Sequence, residues 1–131
     1  MLTWEWAVER LERARNYWVC TVSADGRPHA MPVWGLWVLH SFVFGTSPAS
    51  QKGRNLVRDR RVVVHLESGD EAVILEGAVE PALSDERVLD AYEEKYRMRP
   101  AMGDGWYVLR PERVYAWREH DYPTSATRFD F

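Results

Sequence analysis

Tyr17-Trp-Val-Cys-Thr-Val-Ser-Ala-Asp-Gly-Arg-Pro-His-Ala-Met-Pro-Val-Trp-Gly35 is two extended runs around a turn. The first run, Tyr17 to Val22, is aromatic and β-branched, the composition that packs on a pleated, half-buried surface. Ala24-Asp25-Gly26-Arg27 supplies an Asp-Gly turn and Pro28 to Trp34 resumes the extended chain, so the segment reads as an antiparallel hairpin. Gly35 marks a bulge or a close backbone approach, and beyond it Leu36 to Leu39 pairs with Phe42 to Thr46 across His40-Ser41. Three or four antiparallel strands are therefore expected before residue 47.

Working outward, Trp4, Ala7, Val8, Leu11 and Ala14 recur at helical spacing between Thr3 and Arg15, with Thr3 as N-cap. That helix packs and carries no chemistry. On the other side, Gly45 to Leu66 leaves a strand, crosses Thr46, Ser47 and Ser50, and gathers Lys52 and Arg54 on a short helix from Ser50 through Arg58. The apolar face of that helix rests mainly on Leu56 and Val57, and Gly53 weakens it. Free backbone N–H groups, hydroxyls and cations converge there, which makes an anion site.

Val62 to Glu67 and Ala72 to Glu80 form a second hairpin about Ser68-Gly69-Asp70, ended by Pro81. Asp85 to Tyr96 reads as a helix with Val88, Leu89, Tyr92 and Tyr96 on one face, and Trp106 to Leu109 and Val114 to Trp117 as the last strands. The tail from Glu119 to Phe131 carries Tyr122, Phe129 and Phe131 and has to dock to hide them. Six or seven short strands, with helices at the start and as crossings, predict a mainly β single domain over residues 1–131, a small antiparallel barrel. Its own side chains fill such a barrel, so a ligand belongs on its wall or at a subunit interface.

Composition narrows the function. With 46% hydrophobic and 28% charged residues the chain is soluble and globular, without a membrane span. The N-terminus lacks the continuous apolar run of a signal peptide, and Cys20 is the single cysteine, which suits a reducing, cytoplasmic setting and excludes an internal disulfide. A net charge of -3 argues against nucleic acid as partner. Yet Lys52, Arg54, Arg58, Arg60 and Arg61 stand together against one acid, Asp59, a focus that suits a small anion. His29, His40, His65 and His120 have no metal spacing, so no metal is assigned. Cys20 reads as an inert buried thiol.

The hairpin 17–35, Thr46-Ser-Pro-Ala-Ser-Gln-Lys-Gly-Arg-Asn-Leu56, Asp59-Arg-Arg-Val-Val-Val-His-Leu66 and Leu75-Glu-Gly77, in that order, resemble the pyridoxamine 5'-phosphate oxidase-like family. These are flavin and deazaflavin oxidoreductases of the FMN-binding split β-barrel fold. Ala91-Tyr-Glu-Glu-Lys-Tyr96 and the ending Ala126-Thr-Arg-Phe-Asp-Phe131 extend the likeness over nearly all of the chain.

The resemblance implies a homodimer that holds FMN or coenzyme F420 in a cleft between two barrels and acts on a small-molecule substrate. It places the ring along Met31, Pro32, Val33 and Trp34 with Thr46 close by, and the phosphate on Ser50 and Lys52 with Arg54 in support. Trp117 and Arg128 match residues that similar proteins bring from the partner subunit.

Two departures bear on the chemistry. Ser50-Gln51-Lys52 has a neutral amide where the family's usual triplet has arginine, and the doubly basic phosphate strand of vitamin B6 oxidases is replaced by His29-Ala-Met-Pro-Val-Trp34. The Pro-Val-Trp-Gly strand and the Ala-Thr-Arg-Phe-Asp-Phe ending look more like the deazaflavin branch, so F420 stands first and FMN second. No acid/base pair is visible, as suits hydride transfer by a cofactor, with Tyr107 or Tyr122 as the candidate proton donor. Two alternatives remain open: a cofactor carrier or sensor without a substrate, and a haem-handling barrel in which His29 or His65 is the axial ligand.

Overall fold

The computed structural model describes all of Met1–Phe131. Thr3 caps the first helix, α1 (Trp4–Arg13), its hydroxyl accepting from Trp6 N–H, and Ala7 and Leu11 are buried on its inner face. The opening hairpin forms as read: β1 (Tyr17–Val22) pairs with β2 (Pro28–Val33) in the register Tyr17↔Val33 to Val22↔Pro28. β3 (Leu36–Val38) and β4 (Ser41–Gly45) follow, then α2 (Gln51–Arg58), β5 (Arg61–His65), β6 (Glu71–Pro81), α3 (Glu86–Tyr96), β7 (Trp106–Leu109), β8 (Arg113–Arg118) and β9 (Thr127–Asp130).

All pairings are antiparallel and run β2-β1-β5-β6-β7-β4-β3, with β8 on β6 and β9 on β8. The long strand β6 splits the barrel. Residues Glu71 to Glu76 pair with β8, Val79 to Pro81 pair with β7, and Gly77 lies between, where a Cβ would press on Leu109 Cδ1 at 3.0 Å. Inward residues alternate along each strand, so Tyr17, Val19, Phe42, Phe44, Val64 and Leu75 meet in one core of 19 residues that α1 closes. Burying each such large apolar side chain contributes about 1.5–3 kcal/mol, which fills the interior and leaves ligand space only at the surface.

The strand count is nine rather than six or seven. The tail accounts for part of the difference: Thr127 to Asp130 adds to β8 as a strand, and Phe129 packs edge-on against Trp4 at 5.2 Å. The β3–β4 turn is Leu39-His40, one residue earlier than expected. On α2 the buried residues are Lys52, Gly53, Asn55 and Leu56, while Val57 is 76% exposed. Gly53 is less a weak point than a contact: a Cβ there would lie 2.3 Å from Ser47 O, so only glycine lets the helix sit on the loop before it. Cys20 is half-buried on the outer face of β1, and burial pushes its thiol pKa up. No helix is long and apolar enough to cross a membrane.

Candidate functional site

The loop from Thr46 to Ala49 turns the chain into α2 through hydroxyl bonds. Ser50 Oγ accepts from Gly53 N–H at 3.0 Å as N-cap, donates to Ser47 O at 2.7 Å and lies 3.1 Å from Thr46 Oγ1. Thr46 N–H is fixed by Gly105 O at 2.8 Å. The first N–H groups of a helix have no acceptor within it, and here Gly53 and Arg54 N–H are taken by Ser50, which leaves those of Gln51 and Lys52 free. No acid stands in that first turn.

Lys52 is 8% exposed, and burial lowers its pKa. No carboxylate or carbonyl satisfies its ammonium. An ammonium that has no partner in the chain, at the tip of a mostly buried side chain where it still reaches solvent, and beside two free N–H groups, is poised for an anion. Arg54 is committed elsewhere, to Ala49 O at 2.5 Å and Gln51 Oε1 at 2.7 Å. Gln51 passes that bond on, donating to Asn55 Oδ1 at 2.7 Å, and Asn55 donates to Thr21 Oγ1 at 2.9 Å, which ties α2 to β1. Arg61 pairs with Asp59 at 2.7 Å and, like Arg60, lies in the exposed run at the start of β5, away from the free N–H groups.

β2 is an edge strand beside this helix. Pro28 and Pro32 carry no N–H, so the pairs Thr21↔His29, Val19↔Met31 and Tyr17↔Val33 are the ones that exchange both ladder bonds. Ala30 N–H and the carbonyls of Pro28, Ala30 and Pro32 then face the open edge. Of the predicted ring segment, Pro32 offers its carbonyl outward, Met31 its 45% exposed side chain, and Val33 is half-buried. His29 shares the helix-facing side with Thr21, and its Nδ1 is buried without a hydrogen-bond partner.

Trp34 is occupied within the chain. Its ring stacks on Tyr96 at 4.5 Å and 7°, and the Arg15 guanidinium lies 5.1 Å over it. Tyr96 Oη accepts from Gly35 N–H at 3.0 Å and reaches the carbonyls of Arg15 at 2.7 Å and Gly35 at 2.9 Å. Lys95 Nζ donates to Tyr17 Oη and to Gly35 O at 3.0 Å. Burial, with Arg15 close by, lowers the Lys95 pKa to about 8. Lys52 and Lys95 are the only lysines, and both are withdrawn from solvent. The α3 anchor was not marked as functional in the sequence, although Lys95-Tyr96 stand in the family-like run 91–96.

Trp117 and Arg128 come together on another part of the surface. With Tyr115, Tyr122, Glu119 and Gly69 they line a recess of about 670 Å³. Trp117 meets the 61% exposed Tyr122 edge-on at 6.2 Å, and Arg128 pairs with Asp130 at 3.0 Å. Neither α2 nor β2 contributes to the recess. The path β2-β1-β5-β6-β8 separates them by four strand spacings, about 19 Å along the sheet. Tyr107 is 8% exposed and belongs to the core. His65 Nδ1 lies 2.7 Å from Leu66 O, and its ring stacks on Trp18 at 6.4 Å.

Residues 4–118 match the family model described as Pyridoxamine 5'-phosphate oxidase. Among solved structures the chain is similar to a conserved hypothetical protein from Mycobacterium tuberculosis, at 24% identity and TM-score 0.77 over 91% of this chain and 86% of that one. It is similar to an F420 reductase at 22% identity and TM-score 0.63, over 81% and 93% of the two chains. A heme binding protein from Mycobacterium smegmatis matches at 22% identity and TM-score 0.73, over 99% of this chain but 59% of that one. Nothing among curated proteins matches the chain.

Proposed function

The chain belongs to the pyridoxamine 5'-phosphate oxidase family of split barrels, and from that premise we propose that it is an oxidoreductase using coenzyme F420 or FMN. A bound deazaflavin or flavin supplies the hydride chemistry, and the protein supplies position and electrostatics. The observation that carries this reading is Lys52, whose stem is buried and whose ammonium has no partner in the chain, beside the free N–H groups of Gln51 and Lys52. These groups fit a cofactor phosphate, with Ser50 and Thr46 hydroxyls at its flank and Arg54 released from its helix to assist. The outward carbonyl of Pro32 and the N–H and carbonyl of Ala30 suit the polar edge of a flat ring, with Met31 and Val33 beneath and the Trp34 stack fixing where the strand ends. The similar F420 reductase favours the deazaflavin, and FMN stands beside it as the second cofactor that the sequence resemblance implies.

A second copy completes the cleft in this reading. The outer faces of β1, β5, β6 and β8 carry Trp18, Cys20, Val63, Ile74, Tyr115 and Trp117 in neighbouring register, an apolar area of the kind that self-association covers. The recess of Trp117, Tyr122 and Arg128 lies at the β8 end of that face, so in a two-fold pair one copy brings its recess to the other's α2 and β2. Tyr122 then offers an exposed hydroxyl as proton donor and Tyr107 does not. The substrate is a small, electron-poor organic molecule.

Titration of the purified protein with F420 and with FMN tests this. Saturable binding of one of them, weakened by Lys52→Met, and turnover of the reduced cofactor with quinones, enones or nitro compounds are expected. Binding without turnover on any of these makes the protein a carrier. A haem absorption band with no binding of either cofactor overturns the reading in favour of the chemistry of the similar heme binding protein.

A further inference from the structure

The tip of the β3–β4 hairpin stands in a conformation its residues disfavour. Leu39 and His40 have φ of 53° and 60°, the two-residue turn that Asn-Gly ordinarily supplies. A bulky L-residue there costs about 1–2 kcal/mol. The packing of Leu39 does not offset that cost, because the side chain is 51% exposed. Strain of this kind persists where the surrounding structure uses it.

What the turn does is set Leu39 and His40 on the rim of a recess of about 360 Å³. Its walls are Trp4, Trp37, Pro111 and Phe131, and Arg110 closes the remaining side. Trp4 meets Trp37 at 5.9 Å and 74°, and Phe131 at 4.9 Å and 60°, so the recess is bounded by ring faces and ring edges together. Pro111 is buried and Trp37 is 9% exposed, which makes the back wall rigid.

Arg110 is the one charged side chain of the lining, His40 adds an imidazole, and no acidic side chain lines the recess. The acid nearest Arg110 is Glu80 at 3.6 Å, outside the recess, with both side chains 69% exposed. Such a contact is worth little and leaves the guanidinium free to turn inward. The recess is apart from the cofactor residues: none of α2, β2, Trp117 or Arg128 touches it.

Aromatic walls with a cationic rim recognise a flat apolar body bearing a negative charge. The volume is at the small end of ligand sites, enough for one or two fused rings. We propose that the recess between α1, the β3–β4 tip and the Arg110-Pro111 turn binds a small aromatic carboxylate, its ring against Trp4 and Trp37 and its carboxylate on Arg110 and His40.

Isothermal titration calorimetry with indole-3-acetate and benzoate tests the assignment, with neutral indole and benzyl alcohol as matched probes. The full-length protein is expected to bind at least one of the carboxylates saturably in the millimolar range or tighter, and more tightly than its neutral partner. Arg110→Gln, an exposed change that leaves the melting temperature in place, is expected to weaken the carboxylate by about tenfold and leave the neutral probe unchanged. His40→Asn is expected to weaken the carboxylate to a smaller extent while easing the turn and raising the melting temperature. No saturable binding of either carboxylate overturns the proposal, as does equal affinity in Arg110→Gln. Both results are independent of whether F420 or FMN binds.

Discussion

Lys95 Nζ donates a 2.8 Å hydrogen bond to Tyr17 Oη, joining α3 to the first strand of the barrel without a carboxylate partner of its own. Tyr17 in turn donates to Leu11 O at 2.5 Å, so the bond continues into α1. Through Gly35 O the same ammonium fixes the end of β2, the strand offered to the cofactor ring. A half-buried cation with only neutral partners makes this junction sensitive to pH.

Stability should rise with pH across that junction's titration. The folded Lys95 pKa, about 8, lies below the ordinary 10.5, so between the two the unfolded chain keeps a proton that the fold has released. The contribution is complete above the ordinary value and is lost as pH falls through about 8. Tyr17 and Tyr96 have raised pKa values and stay neutral in the fold, so their opposing contribution sets in only as pH approaches their ordinary 10.0. Urea midpoints for the wild type are expected to be higher at about pH 9.5 than at about pH 7.5. Lys95→Met should flatten most of that difference, with Lys52, shifted in the same direction, supplying the remainder.

Lys52 predicts a trade between stability and binding. Its partial desolvation without a partner, which lowers its pKa, costs some folding free energy that an anion would offset. Lys52→Met should therefore leave stability in the absence of ligand unchanged or raise it by less than about 1 kcal/mol, while weakening cofactor binding about ten- to a hundredfold. Thermal melts with and without cofactor read both effects. A variant that loses stability without ligand would mean that the ammonium is satisfied inside the fold.

Gly53→Ala separates propensity from packing. An exposed helix position would gain about 1 kcal/mol from the change. Here the new Cβ would lie 2.3 Å from Ser47 O and 3.0 Å from Pro48 Cα, both backbone, so the loop has to move. A net loss of about 1–3 kcal/mol is expected, measured by denaturant unfolding, with cofactor affinity falling as the Thr46–Ser50 cradle shifts.

Local pattern made much of this chain legible. The hairpin 17–35 and the α3 face of Val88, Leu89, Tyr92 and Tyr96 follow from periods of 2 and 3.6, which neighbours along the chain determine. The buried face of α2 was not legible, because Lys52 and Asn55 are buried for polar reasons that apolar periodicity does not carry. Thr127 and Phe129 do alternate as a strand, but four residues after a turn give too little period to distinguish pairing from a docked tail. In the site, Thr46, Ser50 and Lys52 were readable together because one loop and one helix turn carry them. The Trp34–Tyr96 stack joins positions far apart in sequence and turns an exposed-looking ring wall into an internal anchor.

The separation of Lys52 from Arg128 yields the sharpest test of the paired cleft. In the proposed dimer each cofactor site takes Lys52 from one copy and Arg128 from the other. Lys52→Met and Arg128→Gln homodimers should each bind cofactor poorly. When the two are unfolded, mixed in equal amounts and refolded, half of the dimers are mixed. Each mixed dimer then holds one site with both residues intact and one with neither. Binding at wild-type affinity should reappear in about a quarter of the sites, counted by fluorescence titration. If both residues served the same site from a single chain, every site in the mixed dimer would lack one of them and mixing would restore nothing. Trp18→Glu, which sets a charge in the middle of the outer face beside His65, should abolish both the dimer, as read by analytical ultracentrifugation, and the recovery.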